Sequence, residues 1–306
     1  PKLRLAGLRI NPRTNAQHRQ PYFVKVSLKN IADGKETAVS LPAGAKIISP
    51  NWSADGKYIA VGNITAKGIE LWIIETATAK AKLVKNVQVN TAMGGFDWMP
   101  DQKSLVVNLV PKNRAAAPAY QDVVPTSPNI QETSGKTGAI QTFQDTLNSP
   151  NDEDLFEYYT TSQLAIVGID GNVKEFGQPG IIDNAEPSPD GNHFLISKIH
   201  RPFSYLFPYS RFPEEVEIWD KSGKMIKKLA SVPLLDNLPQ GGVTTSPRSF
   251  GWIPTEPATL LWAEALDGGD PKNKAENRDR LMKLSAPFTA KSNKDIPVAL
   301  LAKKTE

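Results

Sequence analysis

The run ISPNWSADGKYIAVGN, Ile48 to Asn63, returns three times along the chain, and repetition at such a spacing leaves few architectures open. Each copy reads as strand, tight turn, strand. In the first, Ala54-Asp55-Gly56-Lys57 supplies the turn, with Gly56 free to take a positive φ, and Tyr58 to Val61 resumes in β-rich residues. The second copy is GGFDWMPDQKSLVVNL, where Trp98, Pro100 and Asp101 match Trp52, Ala54 and Asp55. The third is NAEPSPDGNHFLISKI. The fourth, RSFGWIPTEPATLLWAEA, is looser: it keeps the Trp and puts Thr255-Glu256-Pro257 in place of the Asp-Gly turn.

A second strand-turn-strand follows the first three copies, in ELWIIETATAKAKLV, QLAIVGIDGNVKEFG and EVEIWDKSGKMIKKL, so the repeating unit has four strands. Trp52 and Trp98 stand 46 residues apart, near the length of one propeller blade. A β-sandwich does not repeat one sequence unit at that spacing, whereas radial repetition requires it. The expected fold is therefore an all-β propeller of four-stranded blades with a partly helical insertion. Four full blades are placed at about 45–84, 89–177 with an insertion at 111–160, 183–229 and 245–300. A leading half-blade at 1–41 makes the whole part of a larger propeller. Trp52, Trp98 and Trp252 are expected to pack between blades.

The half-blade draws on strand material from Tyr22 to Leu28 and from Glu36 to Leu41. Before it, Asn11-Pro12-Arg13-Thr14-Asn15, with His18 and Arg19 nearby, reads as a solvated turn or as a polar site. The insertion is long for a connection within a compact domain. Its second half suits short helices over Ile140 to Leu147 and Asp152 to Tyr159, with Asp152 as N-cap. Asp152-Glu153-Asp154 reads as helix-start charge rather than a metal site, since no calcium-loop spacing surrounds it.

The run most suggestive of function is KIHRPFSYLFPYSRFPEEVEIWD, between the second and third strands of the third blade. It gathers His200, Arg201, Tyr205, Tyr209 and Arg211 between prolines that limit its freedom. Guanidinium groups offer paired donors to a carboxylate and phenols add single ones, so the loop suits acidic groups. The same residues suit binding of the chain's own carboxylates equally well.

Charge and composition then exclude several classes. Zero cysteines rules out disulfides, thiolate metal sites and cysteine nucleophiles. With 36 basic and 32 acidic residues, a net charge of +4 is too balanced for nucleic acid. There is no apolar run long enough to cross a membrane and no charged, apolar leader. No Gly-x-Ser-x-Gly elbow, Walker loop, dinucleotide fingerprint or His-Glu-x-x-His site occurs, so no cofactor is expected. His18, His193 and His200 include no metal-spaced pair. His193 reads as a plain strand position.

The runs LAGLRINPRTNAQHR, PNIQETSGKTGAIQTFQDTL, DEDLFEYYTTSQLAIV and HRPFSYLFPYSRFPEEVEIWD, covering much of the chain's distinctive sequence, resemble the amino-terminal propeller of the glutamyl endopeptidase branch of the prolyl oligopeptidase family of serine peptidases. Ala139-Ile140-Gln141 departs from the Ala-Pro-x-Arg of that branch. The resemblance implies a parent enzyme, a serine-type endopeptidase cleaving after Glu, in which the propeller caps a carboxyl-terminal α/β-hydrolase domain absent from this chain. In such an enzyme a serine attacks the peptide carbonyl and the propeller restricts access. This chain alone would then be non-catalytic, gating entry and binding acidic peptide substrates through Arg201 and Arg211, helped by Tyr205, His200 and Arg19. Its partners would be the peptide substrate and the linked hydrolase domain, and a periplasmic or secreted location is favoured over the cytoplasm. The competing readings are a stand-alone propeller that scaffolds a protein or peptide partner, and a propeller hydrolase or lyase using His200 with Glu214 or Glu215.

Overall fold

The computed structural model describes residues 2–120 and 142–288. It opens with a small three-stranded sheet of β1 (Leu3–Leu5), β2 (Leu8–Asn11) and β3 (Ala16–Gln17), followed by a hairpin of β4 (Ser27–Lys29) and β5 (Glu36–Ala38). The strand expected from Tyr22 to Leu28 is thus confined to its last residues, apart from a bridge between Phe23 and Ile47. The first blade is an antiparallel sheet of β6 (Ile47–Trp52), β7 (Tyr58–Ile64), β8 (Ile69–Glu75) and β9 (Lys80–Leu83). The second comprises β10 (Phe96–Trp98), β11 (Ser104–Leu109), β12 (Thr161–Gly168) and β13 (Val173–Glu175). Between β11 and β12 lies helix α1 (Pro150–Thr160). The third blade is β14 (Gly180–Pro187), β15 (His193–Ile199), β16 (Glu214–Asp220) and β17 (Met225–Val232). Of the last, β18 (Arg248–Trp252), β19 (Thr259–Ala265) and β20 (Asp279–Ser285) are seen, and the expected end near Leu300 lies outside the described residues. So do Ala139-Ile140-Gln141 and most of PNIQETSGKTGAIQTFQDTL.

The repeat turn folds as its residues dictate. In the first copy Asp55 Oδ1 accepts from Ser53 Oγ at 2.7 Å and from the Lys57 amide at 3.1 Å, while Gly56 takes φ +72°. These contacts hold the Asp55 carboxyl below the usual range, the bond from Ser53 contributing most.

Apolar clusters join each blade to the next: Ala60, Leu71 and Leu105 between the first and second, Val106, Phe194 and Trp219 between the second and third, Leu195, Ile218 and Leu260 between the third and fourth. The tryptophans add direction. Trp98 Nε1 donates to Asn51 O at 2.9 Å and Trp252 Nε1 to Glu186 O at 3.1 Å. Asn51 and Glu186 hold the same place in the repeat, one residue before the tryptophan position, so each indole reaches the inner strand of the preceding blade. The third copy has Pro187 there. That seam is joined instead by short pairing of β12 with β14 and by Phe176 stacked on Phe194, centroids 4.8 Å apart. Trp52 departs from the expected packing and is 55% exposed, because only the short β4–β5 hairpin adjoins its blade and no carbonyl meets its indole among the described residues.

Strand alternation sends the turns after β6, β10, β14 and β18 to one end of the molecule, where they meet. The Ala54 amide donates to the Gln102 side chain, and the Asp190 amide to Pro257 O at 2.9 Å. At the other end lie the described parts of the insertion, the loop 200–213 after β15, and the loop 266–278 after β19.

Candidate functional site at the loop-bearing end

Helix α1 is the scaffold of this end. Ser149 caps it, Oγ accepting from the Asp152 amide at 3.2 Å, with Pro150 in the first turn, where its missing N–H costs nothing. Asp152 is therefore not the N-cap. It sits three residues into the helix, its carboxylate accepting from the Asn148 amide at 2.8 Å. Residues 142–147 are not helical. Leu155, Phe156 and Tyr159 are buried against Leu5, Ile10 and Ile181.

The helix runs directly into β12, so its last carbonyls need other donors. Tyr159 O accepts from Asn15 Nδ2 at 2.8 Å and Asn90 Nδ2 at 3.1 Å, and Tyr158 O from Arg114 Nη1 at 3.2 Å. The turn that reads as solvated or as a polar site is thus partly core, with Thr14 and Asn15 buried and Asn15 bonding the helix end.

Loop 200–213 is pinned to α1 by aromatic rings. Phe156 meets Phe203 at 5.2 Å and Phe212 at 5.6 Å, and the latter two stack at 5.1 Å. The Tyr209 amide donates to Ala6 O at 2.9 Å, tying in the amino-terminal sheet. Outside this apolar layer sit the polar residues singled out above.

Arg201 is answered by the chain's own acids: Glu153, Asp154 at 2.9 Å, and Glu157 at 2.9 Å, all on α1. Tyr205 is 43% exposed, and its phenol is raised by partial burial and by a hydrogen bond to Glu153. His200 Nδ1 lies 2.6 Å from Arg201 O and Nε2 3.6 Å from Glu215. Glu215 is engaged by Lys228 and Ser231, both at 2.7 Å. Burial alone would raise its carboxyl, but these partners prevail and hold it low.

Arg211 differs from Arg201. Its half-buried guanidinium lies 5.1 Å from the Phe143 ring and 4.8 Å from that of Phe207, with no carboxylate partner among the described residues. Arg19 is exposed at φ +56° and makes no contact with the loop among the described residues. Four of the five thus lie on one loop, where Arg201 and Tyr205 share Glu153 while His200 and Arg211 have partners of their own, and Arg19 stands apart, beside His18. Partial dehydration, and then the charges of Arg19 and Lys2, push that imidazole down. No cluster of three or more His, Asp or Glu able to hold a metal occurs among the described residues, and no helix there is long and apolar enough to cross a membrane.

Sequence reading missed Arg114. Its only signal was a position beside Lys112 and Asn113 at the head of the small, apolar run Ala115 to Ala119. It also missed three carboxyls raised chiefly by dehydration: Asp183, Glu214, which feels Asp183 as well, and Glu186, which feels Asp97 as well.

No family model matches the chain. Among curated proteins, "Probable glutamyl endopeptidase, chloroplastic" of Oryza sativa subsp. japonica is 36% identical over 91% of this chain, and the protein of that name from Arabidopsis thaliana is 33% identical over 94%. The chain spans 31% of each. Solved structures that resemble it include the Pyrococcus horikoshii acylaminoacyl peptidase, at 17% identity over 85% of this chain and 33% of that one with a TM-score of 0.44. The β-propeller domain of the Trilobed protease from Pyrococcus furiosus follows at 13% over 86% and 61%, also 0.44. Over the third of their length that it spans, this chain is a β-propeller portion homologous to the glutamyl endopeptidases.

Proposed function

We propose that the chain is the non-catalytic propeller of a serine peptidase of the prolyl oligopeptidase type, governing access of peptides to a linked hydrolase domain and helping to bind their acidic groups. Homology to proteins named glutamyl endopeptidase carries the peptidase part. The observation that carries the acidic part is Arg211, a half-buried cation set against two phenyl rings with no carboxylate of its own among the described residues.

Within this reading Arg211 meets the incoming carboxylate and Tyr205 adds a hydroxyl at the rim. Arg201 and His200 contribute by fixing the loop to α1 and β16, with the Arg201 fork already filled by Glu153, Asp154 and Glu157. Arg19 supplies positive field from the neighbouring sheet. The location follows the parent enzyme, with a periplasmic or secreted setting favoured.

The test is cleavage of a glutamyl-peptide series by this reading frame joined to its hydrolase portion. Arg211→Ala is expected to lower kcat/KM by roughly ten- to hundredfold, the worth of one charged hydrogen-bonding contact of about 1.5–3 kcal/mol. Matching Gln peptides should lose far less. An unchanged rate after Glu, with the fold intact, removes Arg211 from substrate binding.

A further inference from the structure

Beside α1, two cavities of about 460 and 710 Å³ adjoin and share Pro111, Lys112, Arg114 and Tyr158 as wall. Arg114 is half-buried there, its guanidinium 4.2 Å above the Tyr158 ring. It does structural work with one nitrogen: Nη1 donates to Asn15 Oδ1 at 2.8 Å and to Tyr158 O at 3.2 Å. Both acceptors are neutral, so beyond the negative end of α1 no carboxylate is paired with the charge among the described residues. No carboxylate accepts from Nε or Nη2 among the described residues, and the Tyr158 side chain adds only a small favourable polar contact to the guanidinium.

The other charges lining the smaller cavity are already matched. Lys112 Nζ lies 3.1 Å from Glu175, and Glu157 is held by Arg201. What remains in the smaller cavity is a single cation with unused donors, backed by an aromatic ring, in a space that fits a residue or two of extended peptide and excludes a folded protein, while Lys85 and Glu70 line the larger one. A planar carboxylate is the group that takes two parallel donors from such a fork.

We infer that Arg114 and Tyr158 form a second binding site on this chain, one for a peptide carboxylate. The class of ligand rests on the peptide-handling reading above, while the position does not, since none of the loop residues 200–213 lines either cavity. Burial pulls Arg114 below its ordinary value, and an anion docked on the fork would reverse that pull. The carboxylate could come from a glutamate side chain or from a chain terminus.

Calorimetric titration of the chain with three short peptides separates these sources: acetylated and amidated Ala-Glu-Ala, its Gln counterpart, and acetylated Ala-Ala-Ala with a free carboxyl end. One of the two acids is expected to bind at least about tenfold more tightly than the Gln peptide, and Arg114→Gln should abolish that preference. Equal binding of all three, no binding of any, or an undiminished preference in a folded Arg114→Gln variant overturns the site. Should that variant fail to fold, Arg114→Lys keeps the charge without the fork, and wild-type affinity in it has the same force. A loss confined to Arg211→Ala would overturn the Arg114 site and leave the proposed function standing. Loss with Arg114→Gln, beside unchanged cleavage in Arg211→Ala, would do the reverse.

Discussion

Asp183 sits where β14 slips register between Ile182 and Asn184, so its side chain leaves the sheet's regular alternation. Much of its surface meets solvent, yet its carboxyl is raised, with dehydration as the cause. Glu214 is raised by burial and then by Asp183, and Tyr209 likewise. A carboxyl whose folded value exceeds its unfolded one binds more protons in the folded state. Stability from it therefore rises as pH falls from the raised value toward the ordinary carboxylate value. Asp183→Asn is accordingly expected to raise the Tm at neutral pH, by a margin that shrinks as the pH is lowered toward 4. A pH series of thermal melts on both proteins checks this, and a constant margin refutes it. None of this was visible in the sequence, because a bulge depends on which partner strand arrives, and the run around Asp183 looks like any other strand.

Elements were more legible than their ends. The hairpins around Asp55, Asp101 and Asp190 follow from turn chemistry confined to a few adjacent residues, and the sequence locates them well. Helix α1 was foreseen, but its cap was misplaced by three residues, since Ser149 and Asp152 both satisfy the local rules and only the path of the incoming chain decides between them. The cap carries a prediction: Ser149→Ala should cost about 1 kcal/mol in denaturant unfolding, whereas Asp154→Ala, touching only the exposed side of the Arg201 cluster, should cost less. The site loop was half legible. Its residue types suggested carboxylate binding, but whose carboxylates was a question of tertiary placement: Arg201 meets α1 across a sequence distance that no local pattern encodes.

Across the whole molecule, the repeat disclosed the blades, and Trp52 marks where repetition alone misleads. A residue set to pack on a preceding blade is exposed when that neighbour is only a short hairpin, and Phe23 and Val24 are also exposed on this side of the chain. Exposed apolar groups beside a sheet edge promote association. The isolated chain is expected to self-associate with rising concentration in sedimentation runs, and Trp52→Ser to weaken that; a monomer at all concentrations would refute it. The indole bonds have a mechanical meaning as well. Each ties a blade only to the one before it, and the Pro187 seam lacks that tie, so coupling passes along the arc from neighbour to neighbour. Such an object flexes as a row of hinged plates, with its stiffest joint between the second and third, where β12 and β14 share backbone hydrogen bonds. Changes in curvature would spread or gather the long loops at one rim while the short turns at the other stay laced together, so an aperture can widen without any blade unfolding.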